Sequence, residues 1–132
     1  MENKPIEVKY FHAMTGRRMD GTQIVPSASL EVLVDGKIIR ASSHGKGPIH
    51  AVYNAINSLP IFDGTKPYLM NFELNSVKQG ADSAGTAWAK VIFGSKIYEG
   101  VGRSDDVVEA ALYAYIDAIN KHREANQTIR QS

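Results

Sequence analysis

The chain has 132 residues, of which 43% are hydrophobic and 22% charged, values typical of a single globular domain. Fifteen Lys and Arg residues stand against fourteen Asp and Glu residues, so the basic excess that is typical of nucleic-acid binding is missing. Without cysteine, without an apolar run of about eighteen residues and without an export signal, the sequence predicts a cytoplasmic protein with no thiolate chemistry, membrane partner or nucleic-acid partner.

Two segments of the chain repeat each other. Residues 34–56 read VDGKIIRASSHGKGPIHAVYNAI and residues 93–115 read FGSKIYEGVGRSDDVVEAALYAY, and Lys37 aligns with Lys96 at an offset of 59. Each copy is typical of a strand, a tight turn, a second strand, a loop and a helix. The two-residue hairpin turns are predicted at Asp35-Gly36 and Gly94-Ser95.

A further strand-like stretch precedes each hairpin, at residues 6–14 and 68–77, so the predicted unit is βββα and occurs twice. The segment PIFDGTKP, residues 60–67, has the turn chemistry of a linker. The predicted class is α+β, with two pseudo-symmetric βββα repeats at about 6–59 and 68–122 that pack as one domain over residues 1–132.

Each predicted helix has a face of small side chains. Ala110, Ala114 and Ala118 lie four residues apart in the second helix, and Ala51 and Ala55 do so in the first. Two interpretations stay open at this level. The alanines contact the sheet closely, or they form a helix–helix contact between the repeats or across a dimer.

The stretch SSHGKGPIHAVYNAI, residues 42–56, predicts a helix that begins after a Gly-x-Gly turn. Pro48 suits the first helical turn, and the free N–H groups of such a helix end attract a phosphate or a carboxylate. A P-loop needs four residues between its glycines, whereas Lys46 alone separates Gly45 from Gly47. The turn is therefore a carboxylate-type site, or its glycines only allow a tight strand-to-helix connection.

The corresponding corner of the second repeat carries acids. Ser104 is predicted to cap the helix, and Asp105 and Asp106 complement its dipole. These residues repel an anion, so they cap the helix or receive a cation. The difference between the two corners hints at a zwitterionic ligand.

Catalytic and metal-binding patterns are poor in this sequence. The four histidines include no pair at HxH or HxxxH spacing, so neither a metal site nor a catalytic residue is predicted. A small stand-alone enzyme that uses Lys46 or His44 as its catalytic residue stays open as an alternative. The loop KQGADSAG, residues 78–85, is either a ligand-accommodating wall or an ordinary hairpin loop.

Three motifs, GKGPIHAVYNAI, NFELNSVKQGADSAG and GVGRSDDVVEAALYAYIDAIN, occur in this order. Together they resemble the C-terminal regulatory domain of the 2-isopropylmalate synthase family, the LeuA allosteric (dimerisation) domain. The resemblance runs from about residue 6 to residue 121. Its most specific elements are Gly-x-Gly-Pro-x-x-Ala at 45–51 and Asp-x-Val-Glu-Ala with Ala-Tyr-x-x-Ala-x-Asn at 106–120.

The resemblance implies a homodimeric feedback sensor. In such synthases an (α/β)8 barrel condenses acetyl-CoA with a 2-oxo acid, using a divalent metal, and the end-product amino acid binds the regulatory domain. A barrel needs roughly 200 residues or more, so this chain is expected to be an excised regulatory domain or a separate regulatory chain. By itself it is expected to hold no cofactor and to bind leucine, or isoleucine, without catalysis.

The resemblance also implies an effector pocket. Helix-end N–H groups receive the carboxylate, a group near Asp82 receives the ammonium, and apolar side chains such as Ile49 and Val52 enclose the tail. The implied residues are Gly45, Lys46, Gly47, Pro48, Ala51, Phe72, Ser76, Asp82 and Ser83.

The parent enzyme and its effector stay open. Leucine fits an isopropylmalate synthase and isoleucine a citramalate synthase, and Asn71-Phe72 stands where many members carry Asp-Tyr. A domain that only dimerises, without a ligand, is a further alternative.

Overall fold

The computed structural model describes residues 5–62, 64–76 and 85–131. The order of elements is βββα followed by βββα, as predicted from the repeat. The strands and helices are β1 (Glu7–Arg17), β2 (Gln23–Val34), β3 (Lys37–His44), α1 (Pro48–Asn57), β4 (Tyr68–Ser76), β5 (Gly85–Phe93), β6 (Lys96–Ser104) and α2 (Val107–Gln131).

Each repeat forms its own three-stranded antiparallel sheet, with the orders β1-β2-β3 and β4-β5-β6. The predicted hairpin turns are confirmed. Asp35 and Gly36 have φ angles of 50° and 83°, and Gly94 has a φ of 66°, which suits tight turns between twisted strands. A register shift falls at the same place in both sheets, between Val8 and Tyr10 and between Leu69 and Asn71. The two repeats therefore share this register shift as well, although the aligned sequences do not reveal it.

The chain divides into two compact units. The first unit comprises Glu7–Ile61, and the second comprises residues 1–6 with 62–132. In each unit the helix packs on the last two strands of its own sheet. Neither α1 nor α2, within the residues that the structure describes, is long and apolar enough to cross a membrane.

The core of the first unit lies between β2 and α1. Alternate residues of β2 are buried, and α1 presents an apolar stripe to them. This follows from the two periodicities, because side chains alternate between the faces of a strand but return to one face of a helix every three to four residues. The buried side chains are Ala28, Leu30, Val32 and Val34 of β2 and Ala51, Val52, Ala55 and Ile56 of α1.

In the second unit the alanine face of α2 lies against glycines of β6. Ala110, Ala114 and Ala118 have no exposed surface. A Cβ on Gly100 would lie 2.6 Å from the Ala118 nitrogen, and one on Gly102 would lie 2.5 Å from the Ala114 nitrogen. Such distances are far below van der Waals contact. Close helix–sheet packing is therefore the role that the structure shows for this stripe.

The start of the described chain is held by α2. The side-chain amide of Asn120 accepts a hydrogen bond from the Ile6 N–H at 2.8 Å and donates one to the Ile6 carbonyl at 3.2 Å. Ile6 is only 4% exposed, so its backbone groups need these partners, as buried polar groups do.

We expect Asn120→Ala to lower the free energy of unfolding by about 2 kcal/mol, because it leaves two buried backbone groups without their partners. Denaturant unfolding of the full chain measures this change. The exposed Asn75 of β4 provides the control, and Asn75→Ala is expected to change stability by less than about 0.5 kcal/mol. Equal effects of the two variants would contradict the structural role of Asn120.

His122 of α2 lies in an aromatic cluster. Its ring stacks on Phe93 at a centroid distance of 3.9 Å and meets Tyr98 edge-on at 5.4 Å. Burial lowers the pKa of His122, and the positive charges of Lys96 and Arg123 lower it further. The folded protein therefore favours the neutral imidazole.

This pKa shift predicts how stability depends on pH. The unfolded chain has the ordinary histidine pKa near 6.5 and takes up a proton more readily than the folded chain. The stabilising contribution of neutral His122 is complete above that pKa and is lost as the pH falls through the folded value. We expect His122→Phe to flatten the fall in unfolding free energy between neutral and acidic pH, measured by denaturant titration. An unchanged slope would contradict the assignment.

Candidate functional site

The N-terminus of α1 offers backbone donors that no side chain caps. Gly47 is the N-cap residue, with extended φ and ψ angles of −152° and 174°, and Pro48 occupies the first helical position. No acidic residue lies in the first turn. The N–H groups of Ile49 and His50 therefore point out of a helix end that carries a partial positive charge.

The two glycines of this turn differ in their surroundings. A Cβ on Gly45 would lie 2.8 Å from the His50 carbonyl carbon, so the strand can approach the helix only with glycine there. Around Gly47 nothing lies within 4 Å of such a Cβ, and its backbone conformation suits any residue. Tight packing thus accounts for Gly45, whereas Gly47 keeps open space at the helix end.

His50 and Asn54 brace the turn. The Lys46 N–H donates to His50 Nδ1 at 3.0 Å, and the Asn54 amide donates to the His44 carbonyl at 2.8 Å. His50 stands three residues after the N-cap, where a capping-box residue reaches back. Sequence reasoning missed both residues, although the spacing from the N-cap was an available signal for His50.

The hydrogen bonds shown for Lys46 and His44 in the described residues use backbone atoms, the N–H of Lys46 and the carbonyl of His44. Across the described residues, no group of three or more His, Cys, Asp or Glu side chains could hold a metal ion.

The N-terminus of α2 is capped by the side chain of Asp106. Asp106 Oδ1 accepts hydrogen bonds from the N–H groups of Val108 at 2.8 Å and Glu109 at 3.3 Å. The expectation that Ser104 is the capping residue was wrong. Its Oγ instead accepts the N–H of Asp106 at 3.1 Å, because the helix begins one residue after Asp106, at Val107.

The expected effector residues fall into three groups. Gly45, Lys46, Gly47, Pro48 and Ala51 lie together at the start of α1, in the first unit. In this group Ala51 has no exposed surface, and the same is true of Val52, whereas Ile49 is partly exposed.

The other expected residues belong to the second unit. Phe72 lies on β4 directly opposite Ala89, on the face of the sheet that carries α2, and Ser76 lies opposite Gly85. Asp82 and Ser83, with the rest of the loop at 77–84, lie outside the described residues.

The chain is similar in sequence to known proteins. The family model of the LeuA allosteric (dimerisation) domain matches residues 1–123. The 2-isopropylmalate synthase of Carboxydothermus hydrogenoformans is 35% identical over 113 residues, which cover 85% of this chain and 21% of that protein. The enzyme of the same name from Halothermothrix orenii is 30% identical over 127 residues, covering 96% of this chain and 23% of that protein.

A third relative has the same name and a similar level of identity. The 2-isopropylmalate synthase of Pelotomaculum thermopropionicum is 33% identical over 115 residues, or 86% of this chain. The chain spans only about a fifth of the length of these curated relatives. With its duplicated βββα architecture and a family match over most of its residues, the chain belongs to the LeuA allosteric (dimerisation) domain family.

Proposed function

We propose that this chain is the leucine-sensing regulatory and dimerisation domain of a 2-isopropylmalate synthase. The observation that carries the proposal is the match of residues 1–123 to the LeuA allosteric (dimerisation) domain, together with relatives that are named 2-isopropylmalate synthase. The open N-terminus of α1 supports it, because a free amino acid brings a carboxylate that such a helix end binds.

The carboxylate of leucine is proposed to accept hydrogen bonds from the Ile49 and His50 N–H groups, with Gly47 leaving room for its approach. The motif resemblance implies Phe72, Ser76, Asp82 and Ser83 as further effector residues, and these four are proposed from the sequence alone. Burial of a leucine-sized tail contributes about 1.5–3 kcal/mol. Micromolar affinity corresponds to about −8 kcal/mol, so the charged ends of the ligand must supply much of the binding energy.

The activity of the whole enzyme belongs to this proposal. A catalytic barrel elsewhere in the parent would use a divalent metal to condense acetyl-CoA with a 2-oxo acid. Leucine would slow it by binding the regulatory dimer. Such coupling is reciprocal for binding. If a substrate lowers the affinity for leucine by some factor, leucine lowers the affinity for that substrate by the same factor.

Calorimetric titration of the purified chain with leucine, isoleucine and valine tests the proposal. We expect saturable heat with leucine and a clear preference over the other two. Preference for isoleucine would instead identify a citramalate synthase sensor. Asn71-Phe72, which stands where many members carry Asp-Tyr, leaves the effector open between the two. If none of the three amino acids gives heat with this chain or with the full-length parent, the proposal of a sensor is overturned. The remaining alternative is then a domain that only dimerises.

A small stand-alone enzyme is the candidate from another class. Turnover of an acyl or oxo-acid substrate by the isolated chain, abolished by Lys46→Ala, would favour it. The hydrogen bonds that Lys46 and His44 make among the described residues use their backbone atoms.

A further inference from the structure

A cavity of about 270 Å³ lies on the sheet of the second unit. Small-molecule sites usually begin at about 300 Å³, so this cavity suits a ligand of amino-acid size. Its walls combine an indole, two carboxylates, an ammonium and an amide. The described residues that line it are Asn71, Glu73, Trp88, Lys90 and Glu99.

The strand register explains why these side chains meet. Lys90 of β5 lies directly opposite Asn71 on one side and Glu99 on the other, and Trp88 lies opposite Glu73. Opposite residues of antiparallel strands share a face of the sheet. The alternate residues of β5, such as Ala89, are buried on the other face, which also carries Phe72. Among the described residues, the cavity therefore shares no lining residue with the proposed leucine site.

The equivalent positions of the first sheet provide a comparison for the cavity. At the positions equivalent to Lys90 and Glu99, Glu31 and Arg40 form an ion pair at 2.6 Å. At the position equivalent to Trp88 stands Ser29, whose hydroxyl contacts the Ser42 hydroxyl at 3.0 Å. At these positions the polar side chains of the first sheet therefore contact each other.

In the second repeat the charges are reversed and no longer paired with each other. The ion pairs found among the described residues are Lys9–Glu7, Arg40–Glu31 and Lys121–Asp117. Within the described residues, the carboxylates of Glu73 and Glu99 accept a single hydrogen bond, a long one of 3.5 Å from the Asn71 amide to Glu73. The ammonium of Lys90 and the carboxylates of Glu73 and Glu99 are available to a ligand.

We propose that this cavity binds a basic α-amino acid. Lys90, on the central strand, pairs with the ligand carboxylate, as charge-assisted contacts do. Glu73 and Glu99, on the two outer strands, receive the ligand's ammonium and its second cation, and the indole of Trp88 contacts a cationic group through its π face. Two carboxylates and one ammonium give the lining a net charge of −1, which matches the net charge of +1 on arginine or lysine.

Trp88 is the one tryptophan of the sequence, so its fluorescence reports on the cavity directly. Titration of the full chain with L-arginine is expected to change the emission saturably, and calorimetry should give the same dissociation constant. Agmatine, which lacks the carboxylate, is expected to bind at least tenfold more weakly. A response that equimolar NaCl reproduces, or equal binding of agmatine, would overturn the proposal.

Matched variants separate the cavity from a general charge effect. Lys90→Met and Glu99→Gln are each expected to weaken arginine binding at least tenfold. Arg40→Met and Glu31→Gln, at the equivalent positions of the first repeat, should leave it within twofold. Equal effects of the two pairs would contradict the assignment. Leucine titrations on the same variants keep the two sites distinguishable, because loss of arginine binding is expected to leave leucine binding unchanged.

Discussion

Gly100→Ala is expected to lower the free energy of unfolding by about 3 kcal/mol, the upper part of the range for overpacked sites. The added methyl group would overlap the Ala114 carbonyl oxygen and lie 2.6 Å from the Ala118 nitrogen. Both obstacles are helix backbone, which cannot rotate away as a flexible side chain does. The helix must lift from β6, and the buried alanines of α2 then lose contact with the sheet. Denaturant unfolding of the full chain measures the loss.

Gly85→Ala is the matched control, because Gly85 lies in the neighbouring strand of the same sheet. A Cβ there would lie 3.5 Å from the Ser104 carbonyl oxygen, an ordinary contact. We expect a change within about 0.5 kcal/mol. If the two glycine variants were equally stable, the close contact between α2 and β6 would not hold in solution.

Gly47→Asp is expected to weaken leucine binding at least tenfold, a loss of about 1.4 kcal/mol, while raising the unfolding free energy by a few tenths of a kcal/mol. An aspartate at this N-cap would bind the helix-end N–H groups, as Asp106 does in α2. It would place a negative charge where the leucine carboxylate is proposed to lie. The extended backbone and open surroundings of Gly47 accommodate the side chain without strain. Calorimetric titration and denaturant unfolding measure the two effects.

The control is Asp106→Ala at the capped helix. Removing this side chain should lower stability by about 1 kcal/mol and leave leucine affinity unchanged. The informative result for Gly47→Asp is a higher unfolding free energy together with a lower leucine affinity, because damage to the turn would lower both. Unaltered leucine binding by Gly47→Asp would show that the carboxylate does not bind at this helix end.

The two halves of the domain have diverged in a way that bears on function. The second Gly-x-Gly, Gly100 to Gly102, lets a helix lie directly on a strand. The first, Gly45 to Gly47, uses one glycine for packing and leaves the other at an open helix end. A duplicated unit thus keeps its architecture in both copies, while its helix ends and sheet surfaces take different chemistry.

The sequence by itself determined the order of the elements and the class of the protein. The offset of 59 residues, the hairpin turns and the strand-like stretches at 6–14 and 68–77 predicted βββα twice. These signals are local, because turn chemistry and side-chain periodicity depend on residues a few positions apart. The three family motifs indicated a regulatory domain through their resemblance to a known family.

Only the tertiary structure decided which distant groups meet. Asn120 binds the backbone of Ile6 across 114 positions of sequence, and Gly100 touches α2 because of how closely that helix lies on β6. Trp88, Lys90 and Glu99 share one cavity through the strand register. Periodicity assigns a side chain to a face, but the partner on that face depends on register and on helix placement. Those are fixed by the packing of the whole unit, which local sequence patterns do not encode.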